Sequence, residues 1–183
     1  MAESKIFSTI YTWRVRSGFL ALILSVLFAQ PTLLSLLVGL AVISTGLALR
    51  LWACGHLKKE KELTTSGPYR YTRNPLYLGN VFIGIGVVIG SNSWRVILIF
   101  AIYFFAFYPV IILEEKGRMQ KFFPLQYNPY SQKVPLFFPN FRPSWPKSPR
   151  KFSWQLFKKN KETRALFGAL IYWAVLTVLM FLF

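Results

Sequence analysis

Five stretches of this chain are so long, so apolar and so poor in charge that a bilayer is the natural place for them to fold. The last, Ala165 to Phe183, runs 19 residues without a charged side chain, close to the ~20 that carry a helix across hydrocarbon. Thr32 to Leu49, Pro75 to Asn92 and Val96 to Leu113 are of the same kind. Ile10 to Ala29 joins them if Arg14 and Arg16 carry their guanidiniums to the headgroup level on flexible stems. No water is present in hydrocarbon to satisfy backbone N–H and C=O groups, so each span is expected to bond internally as a helix. The predicted fold is all-α: an integral membrane, multi-pass bundle of about five spans, forming a single domain over residues 1–183. A mean hydropathy of +0.41 agrees.

Charge placement orients the bundle. The chain has 22 Lys plus Arg against six acidic residues, a net charge of +16. With a cytoplasmic N-terminus, the first segment, the loop from about Arg50 to Arg73 and the loop from Glu114 to Arg164 all lie inside. Among the basic residues only Arg95 then falls outside. The positive-inside rule therefore predicts a cytoplasmic N-terminus and active site, with Phe183 on the opposite side. Topology and anionic lipid headgroups as partners account for the basic balance, and no nucleic acid is expected. The first apolar run has the basic flank of a signal peptide but no small-x-small cleavage site, so an uncleaved span is expected. Cys54 and His56 are single, which leaves no disulfide and no predicted metal site. His56 is expected at the headgroup level.

Gln30-Pro31-Thr32 breaks two apolar runs and predicts a tight hairpin of the first two spans. Ser91-Asn92-Ser93-Trp94 does the same between the third and fourth. The long loops, and hence any chemistry, share one face. No internal repeat marks an inverted-repeat transporter, and no buried charge is expected within the spans. Gly84-Ile-Gly86-Val-Val-Ile-Gly90 lies inside an apolar helix, the wrong context for a dinucleotide fingerprint. Gly86-x-x-x-Gly90 reads instead as a close helix-packing face. Residues 139–164 are basic and proline-rich. Pro139 to Lys151 is expected as an extended surface strap, and Phe152 to Arg164 as an interfacial segment before the last span, 165–183.

Two polar clusters remain. In "TTSGPYRYTRNPLYLGN", Thr64 to Asn80, Gly67-Pro68 makes a rigid turn and Pro75 suits a first helical turn. Free N–H groups at that helix start would lie near Arg73, Asn74 and Tyr77. The rings of Tyr69, Tyr71 and Tyr77 attract a cation. Such a set suits S-adenosylmethionine, which carries a carboxylate and a sulfonium; an interfacial arginine–aromatic anchor is the other reading. The second cluster, Glu114-Glu115, closes the fourth span. Adjacent helical residues point about 100° apart, so at most one faces the bundle interior. A carboxylate there suits ribose hydroxyls or a ligand ammonium; otherwise the pair is solvated and balanced by Lys116 and Arg118.

Together, "LTTSGPYRYTRNPLY" and "EEKGRMQKFFPLQYNPYSQKVPLFFP" resemble the isoprenylcysteine carboxyl methyltransferase and phospholipid methyltransferase superfamily. The resemblance covers residues 63–139 and the span order around them. It implies a membrane-embedded methyltransferase that binds S-adenosylmethionine between the two motifs, without a Rossmann domain. The cofactor contacts it implies are Leu63, Thr64 and Tyr69, then Arg73, Asn74, Pro75 and Tyr77. Asn74 stands where the family often has histidine, so no titratable group near neutrality is supplied there. The stretch Phe123 to Tyr130 resembles the family's Phe-Gly-x-x-Tyr-x-x-Tyr, with Pro124 for the glycine. That register puts Glu115 on the cofactor with Glu114 in reserve, both as candidate catalytic bases, and Tyr127 and Tyr130 toward the acceptor. Ile111 stands where prenylcysteine-directed members carry arginine. The expected acceptor is therefore a lipid-like molecule with an aminophospholipid headgroup, ahead of an isoprenylcysteine or other lipid carboxylate. A sterol-reductase-like NADPH enzyme and a non-catalytic membrane protein are the rival readings.

Overall fold

A computed structural model describes residues 2–58, 61–142, 145–160 and 162–182, with side chains from Thr9 onward. Phe183, which the charge pattern assigns to the far side, lies outside the described residues, as do the loop charges Lys59, Glu60 and Lys161. Among the described residues seven α-helices follow in order: α1 Ala2–Leu27, α2 Leu33–Cys54, α3 Pro75–Ser91, α4 Trp94–Phe122, α5 Pro124–Lys133, α6 Trp154–Lys159 and α7 Thr163–Leu182. A 3-10 turn, Gly67–Arg70, lies between α2 and α3. No strand occurs among the described residues. Helices α1, α2, α4 and α7 are each long and apolar enough to cross a membrane. At 17 residues α3 is shorter, about 26 Å of helix. It runs antiparallel along α2, from the end where α2 stops to the Gln30 turn, where Gln30 N–H donates to Ser91 C=O at 2.8 Å. The multi-pass bundle expected from the apolar runs is thus the one observed.

Local chemistry sets the breaks. Thr32 caps α2 in a reciprocal box with Ser35, satisfying N–H groups that would otherwise be orphaned. Asn92 ends α3 with φ +48°, a left-handed conformation that asparagine tolerates, and Ser93 opens α4. Gly67 has φ +58° and starts the 3-10 turn; a Cβ there would also meet the His56 ring at 2.5 Å.

The most extensive packing joins α2 to α3 along a glycine seam. A Cβ on Gly39 would stand 2.8 Å from Gly86 C=O and Gly90 N, and one on Gly46 would stand 2.7 Å from Gly79 C=O. Gly86-x-x-x-Gly90 is therefore a packing face, as expected: Gly86 meets α2, and a Cβ on Gly90 would stand 2.5 Å from the Trp173 ring of α7. The predicted hairpin of the first two spans is corrected. α1 leans on α4 rather than on α2, because the small-residue face of α2 is already taken by α3. On α1, Gly18 leaves room for the Tyr103 phenol, 3.1 Å from where a Cβ would be. Deeper in the bundle, the Tyr172 hydroxyl bonds to both Ser25 and Ser91 at 2.9 Å, tying α1, α3 and α7 together.

Two further expectations change. Buried charge does occur: Arg50, still helical near the end of α2, gives Nε–H to the Glu162 carboxylate at 2.5 Å. Its Nη1 also donates to Asn80 Oδ1, and Cys54 Sγ donates to Glu162 at 3.2 Å. His56 is buried rather than set among headgroups, with Nδ1 2.9 Å from Ser66 Oγ. Burial first, and the nearby Arg150 charge second, hold its pKa below the usual 6.5. The unfolded chain therefore binds this proton more readily than the folded one, and stability is lost as pH falls from 6.5 towards the depressed folded value. Unfolding in detergent between pH 7.5 and 5.5 is expected to show a loss on acidification that His56→Gln reduces. An unchanged pH profile in the variant contradicts this.

The described residues of the strap after α5 have no regular structure but are held by hydrogen bonds to the loop before α3. Pro135 C=O accepts from Arg73 N–H at 2.9 Å, and Asn140 N–H donates to Tyr71 C=O at 2.9 Å. Arg70 donates to Trp145 C=O at 3.0 Å. Past it, α6 turns Trp154 outward and Phe157 inward.

Candidate active site

At the end of the bundle where α2 and α4 stop and α3 begins, a polar cleft of about 390 Å3 opens. Both sequence motifs line it, although they lie far apart along the chain. Leu63, Thr64 and Tyr69 come from the loop and 3-10 turn, Arg73 to Tyr77 from the start of α3, Glu115 from α4, and Tyr127 and Tyr130 from α5. Glu114 does not line the cleft; it is exposed on the outer side of α4. Helix α4 extends well past Leu113 to Phe122, so its helical phase separates two adjacent carboxylates.

Several of these residues also build the frame. Thr64 Oγ1 accepts from Lys58 N–H at 3.3 Å. Asn74 Nδ2 donates to Leu136 C=O at 2.9 Å, and Asn74 N–H to Thr72 Oγ1 at 3.2 Å, so it fastens the strap to the cleft wall. The Tyr130 hydroxyl donates to Tyr69 C=O at 2.6 Å. Burial raises the pKa of both Tyr69 and Tyr130 above 10, so both phenols keep their protons at neutral pH. Glu62, on the rim, is held ionised by its hydrogen bond to Arg150, with Lys58 adding to the effect.

Arg73 Nη1 donates to the Tyr127 hydroxyl at 2.9 Å, and the guanidinium lies 5.7 Å from that ring's centroid. A ligand ammonium over Tyr127 would meet this like charge. Tyr11, which also lines the cleft, already carries the Arg14 guanidinium 4.7 Å from its ring centroid. Tyr77 lies in the field of the Glu115 carboxylate, while Tyr127 positions Arg73.

The donor set fits an amino-acid zwitterion. Leu76 and Tyr77, in the first turn of α3, have backbone N–H groups without an acceptor among the described residues. Arg73 Nε is buried with no hydrogen-bond partner among the described residues. Buried donors are rarely left orphaned, and open N–H groups at a helix start beside a guanidinium suit a carboxylate. Glu115, 4.0 Å from Arg118, supplies negative charge on the opposite wall.

Sequence reasoning missed the second half of the site. An apolar groove of about 430 Å3 runs between α1, α3 and α4, walled by Phe19, Leu22, Ile83, Val87 and Phe100 among others. Arg14, Arg50 and Asn80 line both groove and cleft. The available signal was two arginines in or beside apolar runs, read as snorkelling or as a loop start.

Residues 28–126, more than half of the 183-residue chain, match the family described as phospholipid methyltransferase. The chain is similar to the nickel-cobalt-cadmium resistance protein NccN of Alcaligenes xylosoxydans xylosoxydans, at 35% identity over 107 residues, covering 57% of this chain and 49% of that one. It is also similar to the cobalt-zinc-cadmium resistance protein CzcN of Cupriavidus metallidurans, at 32% identity over 114 residues, covering 61% and 51%. The chain spans about half the length of these curated relatives. No solved structure matches it.

Proposed function

The chain belongs to the phospholipid methyltransferase family, and from that membership we propose that it methylates a lipid-like acceptor using S-adenosylmethionine, with an aminophospholipid headgroup favoured. The observation that carries this reading is the meeting of both motifs in one cleft that adjoins an apolar groove. The metal-resistance names of the curated relatives specify no methyl acceptor.

When bound, S-adenosylmethionine supplies a methyl group on a sulfonium, already a good leaving group. The chain's own task is then chiefly positioning. Arg73 and the N–H groups of Leu76 and Tyr77 hold the methionyl carboxylate. Tyr77 offers a ring face to an ammonium. Glu115 accepts the proton that an amine acceptor must lose before it can attack. Ile111 is buried in α4 and leaves no guanidinium at the place where a prenylcysteine carboxylate would need one.

Purified protein given isotopically labelled S-adenosylmethionine, phosphatidylethanolamine and a prenylcysteine analogue is expected to label the phospholipid. Label in the prenylcysteine product alone overturns the acceptor assignment. Calorimetry in detergent is expected to register S-adenosylmethionine and not NADPH; the reverse favours a reductase.

The cleft faces the cytoplasm in this reading. Arg95 sits at the far end of the bundle, over the Trp94 and Phe28 rings, away from the other described basic side chains. Reporter fusions at the two termini are expected on opposite sides of the membrane, with the N-terminus inside. Both reporters on one side contradict this topology.

A further inference from the structure

The cleft and the groove meet at Arg14 from α1, Arg50 from α2 and Asn80 from α3. An amphiphile with its headgroup in the cleft and its chain in the groove must place the group that joins them at this waist. We propose that Arg14 and Arg50, aligned by Asn80, seat the phosphodiester of the acceptor lipid. This seat rests on the methyltransferase reading above, whose aminophospholipid acceptor supplies the phosphodiester.

Charge at the waist is out of balance. Arg14 has no carboxylate partner among the described residues, and its guanidinium lies over the Tyr11 ring at 4.7 Å. A cation in an apolar span is costly and is retained where it faces a polar cavity or ligand. Arg50 has a partner in Glu162, but its Nη2 takes no hydrogen-bond acceptor among the described residues. Two guanidiniums facing one carboxylate leave the waist net positive.

The packing is also arranged around Arg50. A Cβ on Gly79 would stand 2.5 Å from Arg50 Cγ, so this seam glycine lets the arginine stem cross α3 and reach the waist. Asn80 accepts from Arg50 Nη1, which orients the guanidinium. A structural pair between Arg50 and Glu162 alone would give no place to Arg14. Planar guanidiniums recognise phosphate oxygens through paired N–H groups. In a phospholipid that charge lies between headgroup and chains, at the level of the waist. A lipid carboxylate instead carries its charge on the reacting group, inside the cleft.

The test is equilibrium binding to the full chain in detergent, with S-adenosylmethionine present. The probes are short-chain phosphatidylethanolamine and an amine of the same chain length without phosphate. Arg14→Gln is expected to weaken phospholipid binding about tenfold or more, and to leave affinities for the phosphate-free amine and for S-adenosylmethionine unchanged. Arg16→Gln, exposed on α1, is expected to change none of them. Retained cofactor affinity reports an intact fold. Should the glutamine variant not fold, Arg14→Lys keeps the cation without the guanidinium fork, and a selective loss of several-fold is expected. Equal losses for both lipids, or no loss for the phospholipid, overturn the seat. Labelled cofactor added to the same samples separates the two readings. Selective binding without methyl transfer overturns the acceptor assignment alone, and methyl transfer without phosphate discrimination overturns the seat alone.

Discussion

Gly46→Leu is expected to leave no folded, cofactor-binding protein in detergent. Even a Cβ at this position would stand 2.7 Å from Gly79 C=O and 2.9 Å from Ile83 N. Backbone atoms cannot swing aside as side-chain tips do, so α2 and α3 would have to part. A single surplus methylene in a packed core costs about 1–3 kcal/mol, and leucine adds several at the tightest helix contact. Parting the seam also moves Arg50 at one end of α2 and the first turn of α3, where Arg73 and Tyr77 line the cleft. Gly168→Ala in α7 is the control. Nothing lies within 4 Å of a Cβ there, and alanine in an exposed helix is expected to be neutral or to stabilise by up to about 1 kcal/mol. Thermal unfolding followed by size-exclusion profile separates the two. A Gly46→Leu protein that elutes and melts like the parent contradicts the seam.

Glu115→Ala is expected to weaken S-adenosylmethionine binding by roughly 1–3 kcal/mol, as when a buried partner is left unsatisfied, and to lower methyl transfer on the order of 100-fold. Tyr77→Ala should weaken binding by a similar amount. Glu114→Ala, on the exposed side of α4, and Arg95→Ala, at the far end over Trp94, are expected to leave both readouts unchanged. Calorimetry for the cofactor and labelled-methyl counting for turnover are the measurements. Equal losses across all four variants would mean general destabilisation rather than a site. A loss with Glu114→Ala and none with Glu115→Ala would reverse the register of the glutamate pair.

The spans were legible because their cause is local. Each apolar run must satisfy its backbone within itself once in lipid, so run length alone announces a helix. The turns were equally local: Pro75 at a helix start, Asn92 at a helix end, Gly67 where φ is positive. Leu63 to Tyr77 and Glu115 to Tyr130 could be assigned to one cleft because their motifs resemble a known family. The partners of the helices were not legible. Gln30-Pro31-Thr32 suggested that α1 packs on α2, yet α3 holds that face, because glycines at 39, 46, 79 and 86 let two backbones meet more closely than any alternative pair. The same holds for charge. Arg14 looked like a headgroup anchor and Arg50 like the start of a loop, and only the crossing of α1, α2 and α3 brings them to one waist with Asn80. His56 was read as exposed until Ser66 and Gly67 folded over it. What the sequence determined by itself is the set of apolar spans and the residue types at the site, since segment burial and turn chemistry depend on neighbours in the chain. Helix pairing, the split between Glu114 and Glu115, and the meeting of cleft with groove depend on surfaces contributed by residues far apart, and only the tertiary structure decided them.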